Sequence, residues 1–335
     1  MKSIFVGADG RPFLKEMDRP ICREGSVVVK TAFSLISSGT EREILANQDK
    51  RKEIEAPLGY SASGRVVEAG HDIDGTAVGN IVACSGLRHA RHAEYIAVPK
   101  NLFVNVPDGV SEKEAAFVTI GCIAVHAIRQ ARLSFGESAL VVGAGLVGNI
   151  VAQICNGVGY RTIVTDVDAR RLSLMRESGI EDAVYADRVS SVVDVLTERH
   201  GVDATLLCLH TKQSTVIDDA LRATRARGRV VIVGDFPVSA TRELLFQKEI
   251  ELSISRAYGP GRYDPRYEEE GQDYPYEYVR WTENRNMQEF MRLLQRGVVK
   301  VNDLVAATFP IDEFAEAYRL VGGEGSKPAT LFSYA

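Results

Sequence analysis

The most regular pattern of apolar and polar positions lies in the middle of the chain, from Ser138 to Arg171. The segment begins with a short apolar run, SALVV, which has the length of a buried strand. A glycine-rich turn follows, then apolar residues at helical spacing, and then a second β-type run, RTIVT. This succession predicts one strand–helix–strand unit with parallel strands.

The turn after the first predicted strand has the spacing G-x-G-x-x-G. Gly143 allows the tight turn, Gly145 lets a pyrophosphate approach the backbone, and Gly148 lets helix and strand pack closely. Leu146 and Val147 open the predicted helix, whose N-terminus would face the phosphates. The sequence therefore predicts a dinucleotide site at this turn.

An acidic residue ends the second predicted strand. Asp166 lies about 20 residues beyond the turn, where a carboxylate bonds the adenosine ribose hydroxyls and repels a 2′-phosphate. We therefore expect NAD rather than NADP. Arg170 and Arg171 leave NADP as an alternative, because an arginine here can bind the extra phosphate, although both also suit an exposed helix face.

Two further apolar runs, at 201–210 and 228–235, flank a helix-like segment at 214–226. They are predicted as later strands of the same parallel sheet. Ligands of open α/β sheets bind at the carboxyl ends of the strands. The residues expected there, close to the nicotinamide, are Cys208, His210, Gly234 and Asp235. For His210, simply ending a strand is an equal alternative.

The first third of the chain has a different rhythm. Short β-like segments such as GSVVVKTAFSLI, GRVVEAG and AEYIAVP alternate with turn residues, which predicts a mostly β domain. The C-terminal part returns to helical spacing at 283–297 and 310–321. Asn284 or Pro310 provides a start signal, and Gly297 a stop.

Composition narrows the class of protein. A chain of 335 residues is expected to form two domains. Its net charge of −5 offers no basic surface, so nucleic acid is not an expected partner. Five scattered cysteines without a CxxC pair argue against a disulfide framework and against a structural zinc lobe. With no signal-peptide pattern and no apolar run of about 18 residues, we expect a cytoplasmic protein that does not bind membranes.

Five segments carry a likeness to a known family: PLGYSASGRVVEAG (57–70), VGNIVA (78–83), HAEYIAVP (92–99), VPDGVSEKEAAFV (106–118) and SALVVGAGLVG (138–148). Together they resemble the medium-chain dehydrogenase/reductase family over nearly the whole chain. The resemblance implies an α/β fold with a GroES-like β-rich catalytic domain, formed by 1–122 and 260–335. It further implies a Rossmann domain with a doubly wound parallel sheet, formed by 123–259, and a homodimer that pairs through this domain.

Zinc-dependent members of this family usually carry Cys-Gly-Thr-Asp and Gly-His-Glu at two of these places. Here the matching residues are SGTE (38–41) and GYS (59–61). Hydroxyl groups are poor replacements for thiolate and imidazole on Zn²⁺. Cys122 remains where a third ligand can occur in the family, and it also suits a small packed position. We therefore expect no catalytic metal.

A narrower likeness concerns SLISSGTERE (34–43) together with the tyrosine-rich stretch 256–290. Both resemble zinc-free family members of polysaccharide and sugar-derivative pathways. The first segment also resembles bacteriochlorophyllide dehydrogenases, which lack the long insertion.

A site without a metal needs polar groups that stabilise the substrate oxygen and move its proton. Tyr60, at a lost zinc-ligand position, is expected to bond this oxygen, with a nearby positive charge lowering its pKa. Thr40 matches the hydroxyl relay of the family, with Ser38 beside it. Glu41 is expected either to orient this group or pass the proton to solvent, or else to be a structural carboxylate.

The segment from Tyr258 to Trp281 is dense in tyrosine, arginine and acids, and its length suggests a binding loop. Its aromatic faces and guanidinium groups suit sugars, cyclitols or anionic groups, whereas a dimer contact is an equal alternative. The candidate substrate residues in and beside this segment are Arg256, Tyr258, Arg262 and Arg280.

His92 and Cys122 are further candidate substrate residues. His92 forms a pair with His89, but a spacing of three in a β-rich region gives no defined ligand geometry. A surface or capping role for His92 is therefore the favoured interpretation.

These features predict a zinc-independent, NAD-dependent oxidoreductase that transfers a hydride between the nicotinamide and a secondary alcohol or ketone. The small-molecule substrate is expected to resemble a sugar, polyol or cyclitol of a biosynthetic pathway. The alternative enzyme class is an NADPH-dependent quinone or enone reductase, because many zinc-free relatives reduce activated double bonds. A dinucleotide-binding protein without turnover is the alternative outside the enzymes.

Overall fold

The computed structural model describes residues 1–47, 55–322 and 327–335. Its contacts divide the chain into two compact units. Unit 1 consists of Met1–Cys122, Tyr258–Gln295 and Val301–Ala335, and unit 2 of Ile123–Ala257 and Arg296–Lys300. The polypeptide therefore leaves unit 1, forms most of unit 2, and returns.

The strands of the described residues, in chain order, are β1 (Lys2–Gly7), β2 (Pro12–Glu16), β3 (Ser26–Ile36), β4 (Glu55–Pro57), β5 (Ser61–Ala69), β6 (Ile81–Ser85), β7 (Tyr95–Pro99), β8 (Phe103–Asn105), β9 (Ser138–Val142), β10 (Arg161–Thr165), β11 (Ala183–Val184), β12 (Val202–Leu207), β13 (Thr224–Ile232), β14 (Glu251–Ile254), β15 (Val305–Pro310) and β16 (Ala329–Ser333).

The α-helices of the same residues are α1 (Ser38–Ala46), α2 (Glu112–Ala115), α3 (Val118–Ala131), α4 (Leu146–Gly157), α5 (Ala169–Glu177), α6 (Val189–Leu196), α7 (Val216–Ala223), α8 (Arg242–Lys248), α9 (Pro265–Glu268), α10 (Glu283–Gln295) and α11 (Phe314–Gly322). Within the ranges described, none is both long and apolar enough to cross a membrane.

Unit 2 is built on a sheet with the strand order β11-β10-β9-β12-β13-β14. Every neighbouring pair is parallel. The order reverses between β9 and β12, which is the switch point of a doubly wound fold. β9 and β12 are buried along nearly their whole length, as expected of strands covered on both faces. The predicted parallel sheet is confirmed.

Unit 1 contains two sheets, with the strand orders β15-β16-β3-β5-β6-β8 and β2-β1-β4. The 11-residue strand β3 organises the larger sheet, because it pairs with β5, β7 and β16. β16 lies far from β3 in the sequence, so distant segments of the chain form this sheet together. The predicted β-rich first part of the chain is confirmed.

Two predicted helices begin or end elsewhere than expected. The segment 214–226 is helical only over Val216–Ala223, because Thr224 pairs with Val202 as the first residue of β13. The C-terminal helix begins at Phe314 rather than Pro310, because Pro310 is the last residue of β15 and pairs with Ser333. Pairing with distant strands, which helical spacing does not show, decides both boundaries.

Candidate active site

The turn between β9 and α4 forms a backbone cradle. Gly143 has φ +96°, in the left-handed region that favours glycine, and its N–H donates to the Thr165 carbonyl oxygen at 2.8 Å. A Cβ on Gly148 would lie 1.8 Å from the Gly143 oxygen, whereas a Cβ on Gly145 would meet no atom within 4 Å. The turn is therefore closed on the helix side and open at Gly145, which fits a pyrophosphate at the start of α4.

Asp166 lies beside this cradle and is held by backbone groups. Its two carboxyl oxygens accept from the Ala144 N–H at 2.7 Å and from the Asp168 N–H at 2.9 Å. The side chain is only 4% exposed, and an Arg171 guanidinium nitrogen lies 3.4 Å away. Arg170 in turn pairs with Asp168 at 3.1 Å. Both arginines considered for a 2′-phosphate are thus paired with acids, and the ribose role of Asp166 stays a prediction.

The carboxyl edge of the same sheet carries the other residues expected near a cofactor. Cys208 directly follows β12, and Gly234 lies two residues beyond β13. A Cβ on Gly234 would lie 1.8 Å from the Leu209 oxygen, so two backbone segments approach closely here. His210 and Asp235 form an isolated bridge, with their side chains 3.7 Å apart and mostly exposed. A contact of any of these residues with a cofactor stays a prediction.

In unit 1, a chain of three hydroxyl groups leads from the interior to the surface. Tyr60 is 5% exposed, and its hydroxyl donates to Ser37 Oγ at 2.5 Å. Thr40 Oγ1 lies 3.3 Å from the same hydroxyl, and Thr40 is exposed. Such a chain can pass a proton between a buried phenol and solvent.

A lowering of the Tyr60 pKa by the positive charge of a bound nicotinamide stays a prediction. Burial raises the pKa of Tyr60 above its ordinary value, and the hydrogen bonds with Ser37 and Thr40 counter this only in part. The negative charge of Glu41 adds to the rise. Tyr60 therefore keeps its proton at neutral pH and can relay a proton without becoming a stable phenolate.

Glu41 is the centre of a buried polar network in unit 1. Its carboxyl group accepts from the Ser37 N–H at 2.9 Å and from the Tyr318 hydroxyl at 2.6 Å, and it lies 3.1 Å from His92 Nε2. Burial and the Glu41 charge raise the pKa of Tyr318, so this hydroxyl is the donor. Glu41 is 0% exposed. The expectation that it passes a proton directly to solvent is wrong, and the geometry supports its structural alternative.

His92 belongs to the same network, and the expectation of a surface or capping role is wrong. The side chain is 0% exposed. Its Nδ1 lies 2.7 Å from Ser34 Oγ, and the ring contacts the edge of Phe332 at a centroid distance of 5.0 Å. Both ring nitrogens are therefore engaged within the protein rather than turned toward a substrate. Gly59, at φ +90°, allows this packing. A Cβ at this position would lie only 2.7 Å from the backbone nitrogen of His92.

The insertion brings two of its candidate residues to Tyr60. The Tyr258 and Tyr60 rings stack at 6.3 Å, and the Arg262 guanidinium lies 5.1 Å from the Tyr258 ring centre. Arg262 also pairs with Glu268 at 2.5 Å. We call these four residues, Tyr60, Tyr258, Arg262 and Glu268, the tyrosine–arginine cluster.

The remaining arginine candidates are exposed. Arg256 belongs to unit 2. Arg280 lies 3.8 Å from the centre of the Trp281 ring. A substrate contact of either arginine stays a prediction.

The donors at the family's zinc positions do not fit a catalytic zinc ion. Tyr60 is a protonated phenol engaged with two hydroxyls, and Ser38 opens α1 as a neutral side chain. Cys122 is 0% exposed, and its thiol donates to the Glu283 carbonyl oxygen at 3.2 Å. Across the described parts of the chain, no three His, Cys, Asp or Glu side chains form a group that could hold a metal. We assign no step to a metal.

Comparison with known proteins finds similar dehydrogenases. Residues 147–269 match the family model described as zinc-binding dehydrogenase. The L-threonine 3-dehydrogenase of Legionella pneumophila (strain Corby) is 25% identical over 368 residues, with 98% of each chain covered. The D-arabitol-phosphate dehydrogenase of Enterococcus avium is 23% identical over 93% of this chain and 91% of its own. The chain is thus similar over nearly its whole length to dehydrogenases of the medium-chain dehydrogenase/reductase superfamily.

A solved structure shows the same fold. An alcohol dehydrogenase from Escherichia coli CFT073, crystallised with NADH, has a TM-score of 0.81 at 19% identity, and 99% of each chain is covered. Within this superfamily, unit 1 is the GroES-like part and unit 2 the Rossmann part.

Sequence patterns missed three residues of the candidate site. Ser37, not Ser38, bonds Tyr60, because α1 begins at Ser38 and leaves Ser37 in extended conformation before the helix. The local signal for this difference is the pair of serines in SSGT (37–40), because serine is a common residue just before a helix. Tyr318 and Glu283 meet the site from distant parts of the chain and have no local signal.

Proposed function

We propose that this protein is a zinc-independent, NAD-dependent dehydrogenase of a secondary alcohol in a polyol, sugar or cyclitol. The observation that carries the proposal is the hydroxyl chain of Ser37, Tyr60 and Thr40, in which Tyr60 occupies the position of the histidine in the Gly-His-Glu motif of zinc-dependent members. The relatives named for L-threonine and D-arabitol phosphate support an alcohol dehydrogenase. The tyrosine–arginine cluster supports a substrate rich in hydroxyl groups.

The chain's own residues account for the proton in this reaction. A bound nicotinamide supplies the hydride acceptor. The Tyr60 oxygen accepts the proton of the substrate hydroxyl while Tyr60 passes its own proton to Thr40, and Ser37 holds the Tyr60 hydroxyl in position. Exposed Thr40 exchanges this proton with water. One alcohol thus gives one ketone, one hydride on the cofactor and one proton in solvent, and the reduction runs in reverse.

Two observations support NAD as the cofactor. The Asp166 carboxylate is fixed next to the glycine cradle, where a 2′-phosphate would meet a negative charge. Arg171, which would have to bind that phosphate, is paired with the same carboxylate.

The proposal is tested by metal analysis of protein purified without chelators, with NAD and NADP titrations and a polyol and cyclitol oxidation assay on the same sample. We expect no stoichiometric zinc, tighter binding of NAD than NADP, and NAD-dependent oxidation. One equivalent of zinc whose removal abolishes activity would refute the hydroxyl mechanism. NADPH preference with alkene reduction would favour the quinone or enone reductase, and dinucleotide binding without turnover would favour a non-catalytic protein.

The variant Tyr60→Phe is expected to lower turnover about 100-fold or more while leaving the NAD dissociation constant unchanged, because only the transition state uses the hydroxyl. Steady-state kinetics and a cofactor titration measure the two effects separately. Tyr278→Phe, at an 88% exposed tyrosine, is the matched control and should behave as wild type. Wild-type turnover in Tyr60→Phe would remove this hydroxyl from the mechanism.

A further inference from the structure

Five side chains of unit 1 have buried polar atoms without a hydrogen-bond partner within the described residues: Thr31, Ser85, Arg91, Arg262 and Glu283. Two of them, Arg262 with its Nε and Glu283 with both carboxyl oxygens, lie in or beside the tyrosine–arginine cluster. Glu283 is 1% exposed, and the Arg262 side chain is 9% exposed. Buried polar atoms have a hydrogen-bond partner in nearly all native structures. An unpaired one therefore indicates a place where a bound molecule can supply the missing hydrogen bond.

Arg262 and Glu283 interact electrostatically without touching. The Arg262 charge acts on Glu283, but the close ion pair of Arg262, at 2.5 Å, is with Glu268. The backbone of Glu283 is fixed at both ends, since its N–H donates to the Pro260 oxygen at 2.8 Å and its carbonyl oxygen accepts from Cys122. The unpaired donor and the unpaired acceptors are therefore held in place beside the tyrosine–arginine cluster.

We propose that Arg262 Nε and the Glu283 carboxyl group bind two neighbouring hydroxyl groups of the substrate. This inference rests on the proposed function and narrows its substrate class to vicinal diols, as found in polyols and cyclitols. The Nε–H group donates to one hydroxyl oxygen, and the carboxyl group exchanges a hydrogen bond with the other. A monohydric alcohol leaves one member of the pair unsatisfied, which disfavours its binding.

The protonation of Glu283 suits this role. Burial and the charge of Glu268 raise the pKa of Glu283 to about 8, against the opposing effect of Arg262. The tyrosines that share this electrostatic environment are Tyr258, Tyr267 and Tyr274, and the Cys122 thiol meets the Glu283 carbonyl oxygen. At neutral pH the carboxyl group is therefore mostly protonated, and it can both donate to and accept from a hydroxyl.

This shift has a pH signature in stability. In the unfolded chain the pKa of a glutamate is about 4.3. Between this value and the folded pKa of about 8, Glu283 is protonated in the folded protein and ionised in the unfolded one, so unfolding releases a proton. The melting temperature of the wild type is expected to fall across this window more steeply than that of Glu283→Gln, which has no such proton. If the melting temperatures of the two proteins changed by the same amount from pH 5 to 8, Glu283 would not be a buried, protonated acid.

The test measures binding of sorbitol and of 2-butanol to the full chain in the presence of NADH, by saturation-transfer NMR. Glu283→Leu should bind sorbitol about tenfold more weakly or worse, and Arg262→Lys, which keeps the charge but has no Nε, should also lose affinity. Glu283→Gln should stay close to wild type, because an amide also donates and accepts. Because 2-butanol has a single hydroxyl group, each of the three changes should affect its binding less than that of sorbitol.

Thermal unfolding separates binding from a structural role. Glu283→Leu fills the same space without an unpaired polar atom, so its melting temperature should rise by about 2 °C or more. Glu289→Leu, on the same helix but bonded to Arg292, is the control and should leave sorbitol binding unchanged. A lower melting temperature of Glu283→Leu with intact sorbitol binding would overturn the inference, as would a wild type that does not bind sorbitol.

The two proposals fail in different ways. Polyol oxidation with NAD, together with unchanged sorbitol binding in Glu283→Leu and Arg262→Lys, would refute the diol pair and leave the dehydrogenase function standing. Loss of sorbitol binding in both variants, in a protein without dinucleotide-dependent oxidation, would support the pair as a binding site and refute the function.

Discussion

Replacement of Glu41 by alanine is expected to lower the free energy of unfolding by about 3–5 kcal/mol. This is the usual cost of breaking a buried ion pair by removing one of its two partners. The change leaves the Ser37 N–H, the Tyr318 hydroxyl and His92 Nε2 without their acceptor. His92 cannot turn to solvent, because Glu41 and His92 are both 0% exposed. Denaturant unfolding followed by tryptophan fluorescence and circular dichroism measures the loss.

Three variants locate the origin of this effect. Glu43→Ala, at an exposed position of the same helix, should change stability by less than about 0.5 kcal/mol. Glu41→Gln keeps an acceptor and should cost less than Glu41→Ala. Tyr318→Phe removes one donor and should cost about 1 kcal/mol. If Glu41→Ala unfolded at the same denaturant concentration as Glu43→Ala, the network would not contribute to stability.

The second large effect is expected from alanine at the two later glycines of the turn between β9 and α4. In Gly148→Ala the added Cβ would collide with the Gly143 oxygen, at 1.8 Å, so backbone must move. We expect a loss of about 1–3 kcal/mol in stability and a loss of about 100-fold in NAD affinity, because the cradle itself is displaced.

Gly145→Ala is the matched partner of this variant. Its Cβ meets no protein atom within 4 Å, and its backbone, at φ −67°, is open to any residue. Stability should therefore stay within about 0.5 kcal/mol of wild type, while the methyl group occupies the space reserved for the pyrophosphate and NAD affinity falls. Wild-type NAD affinity in Gly145→Ala, measured by calorimetry or fluorescence titration, would show that the dinucleotide does not bind at this turn.

Local rules explain why the sequence predicts the cradle so closely. Strand, turn and helix of the βαβ unit are neighbours in the chain, and the need for glycine follows from the left-handed backbone of Gly143 and from the Gly143 oxygen beside Gly148. Tyr60 is likewise a candidate from sequence alone, since it occupies a position whose usual residue is known for the family. In both cases the information lies within a few residues of the site.

The predictions that fail depend on partners far along the chain. His92 follows a turn and resembles a surface residue, but its ring nitrogens meet residues 58 and 51 positions earlier. The Glu41 bond to Tyr318 spans 277 positions. Burial of a polar side chain is decided by such long-range contacts, and neither hydropathy nor spacing records them. For the same reason the sequence does not indicate the burial of Glu283, an acidic residue at the start of an amphipathic helix.

The position of β16 in the sheet of unit 1 has a consequence for synthesis on the ribosome. Thr330 to Ser333 pair with Phe33 to Ile36, and the Tyr334 hydroxyl bonds Ser34 next to His92. The GroES-like sheet therefore stays incomplete until β16 has left the exit tunnel, whereas the Rossmann sheet needs no strand beyond β14. The nascent chain should form its Rossmann sheet first, while the edge of β3 that pairs with β16 stays unpaired. Residues 33–36 are the segment that a chaperone would have to shield in the interval.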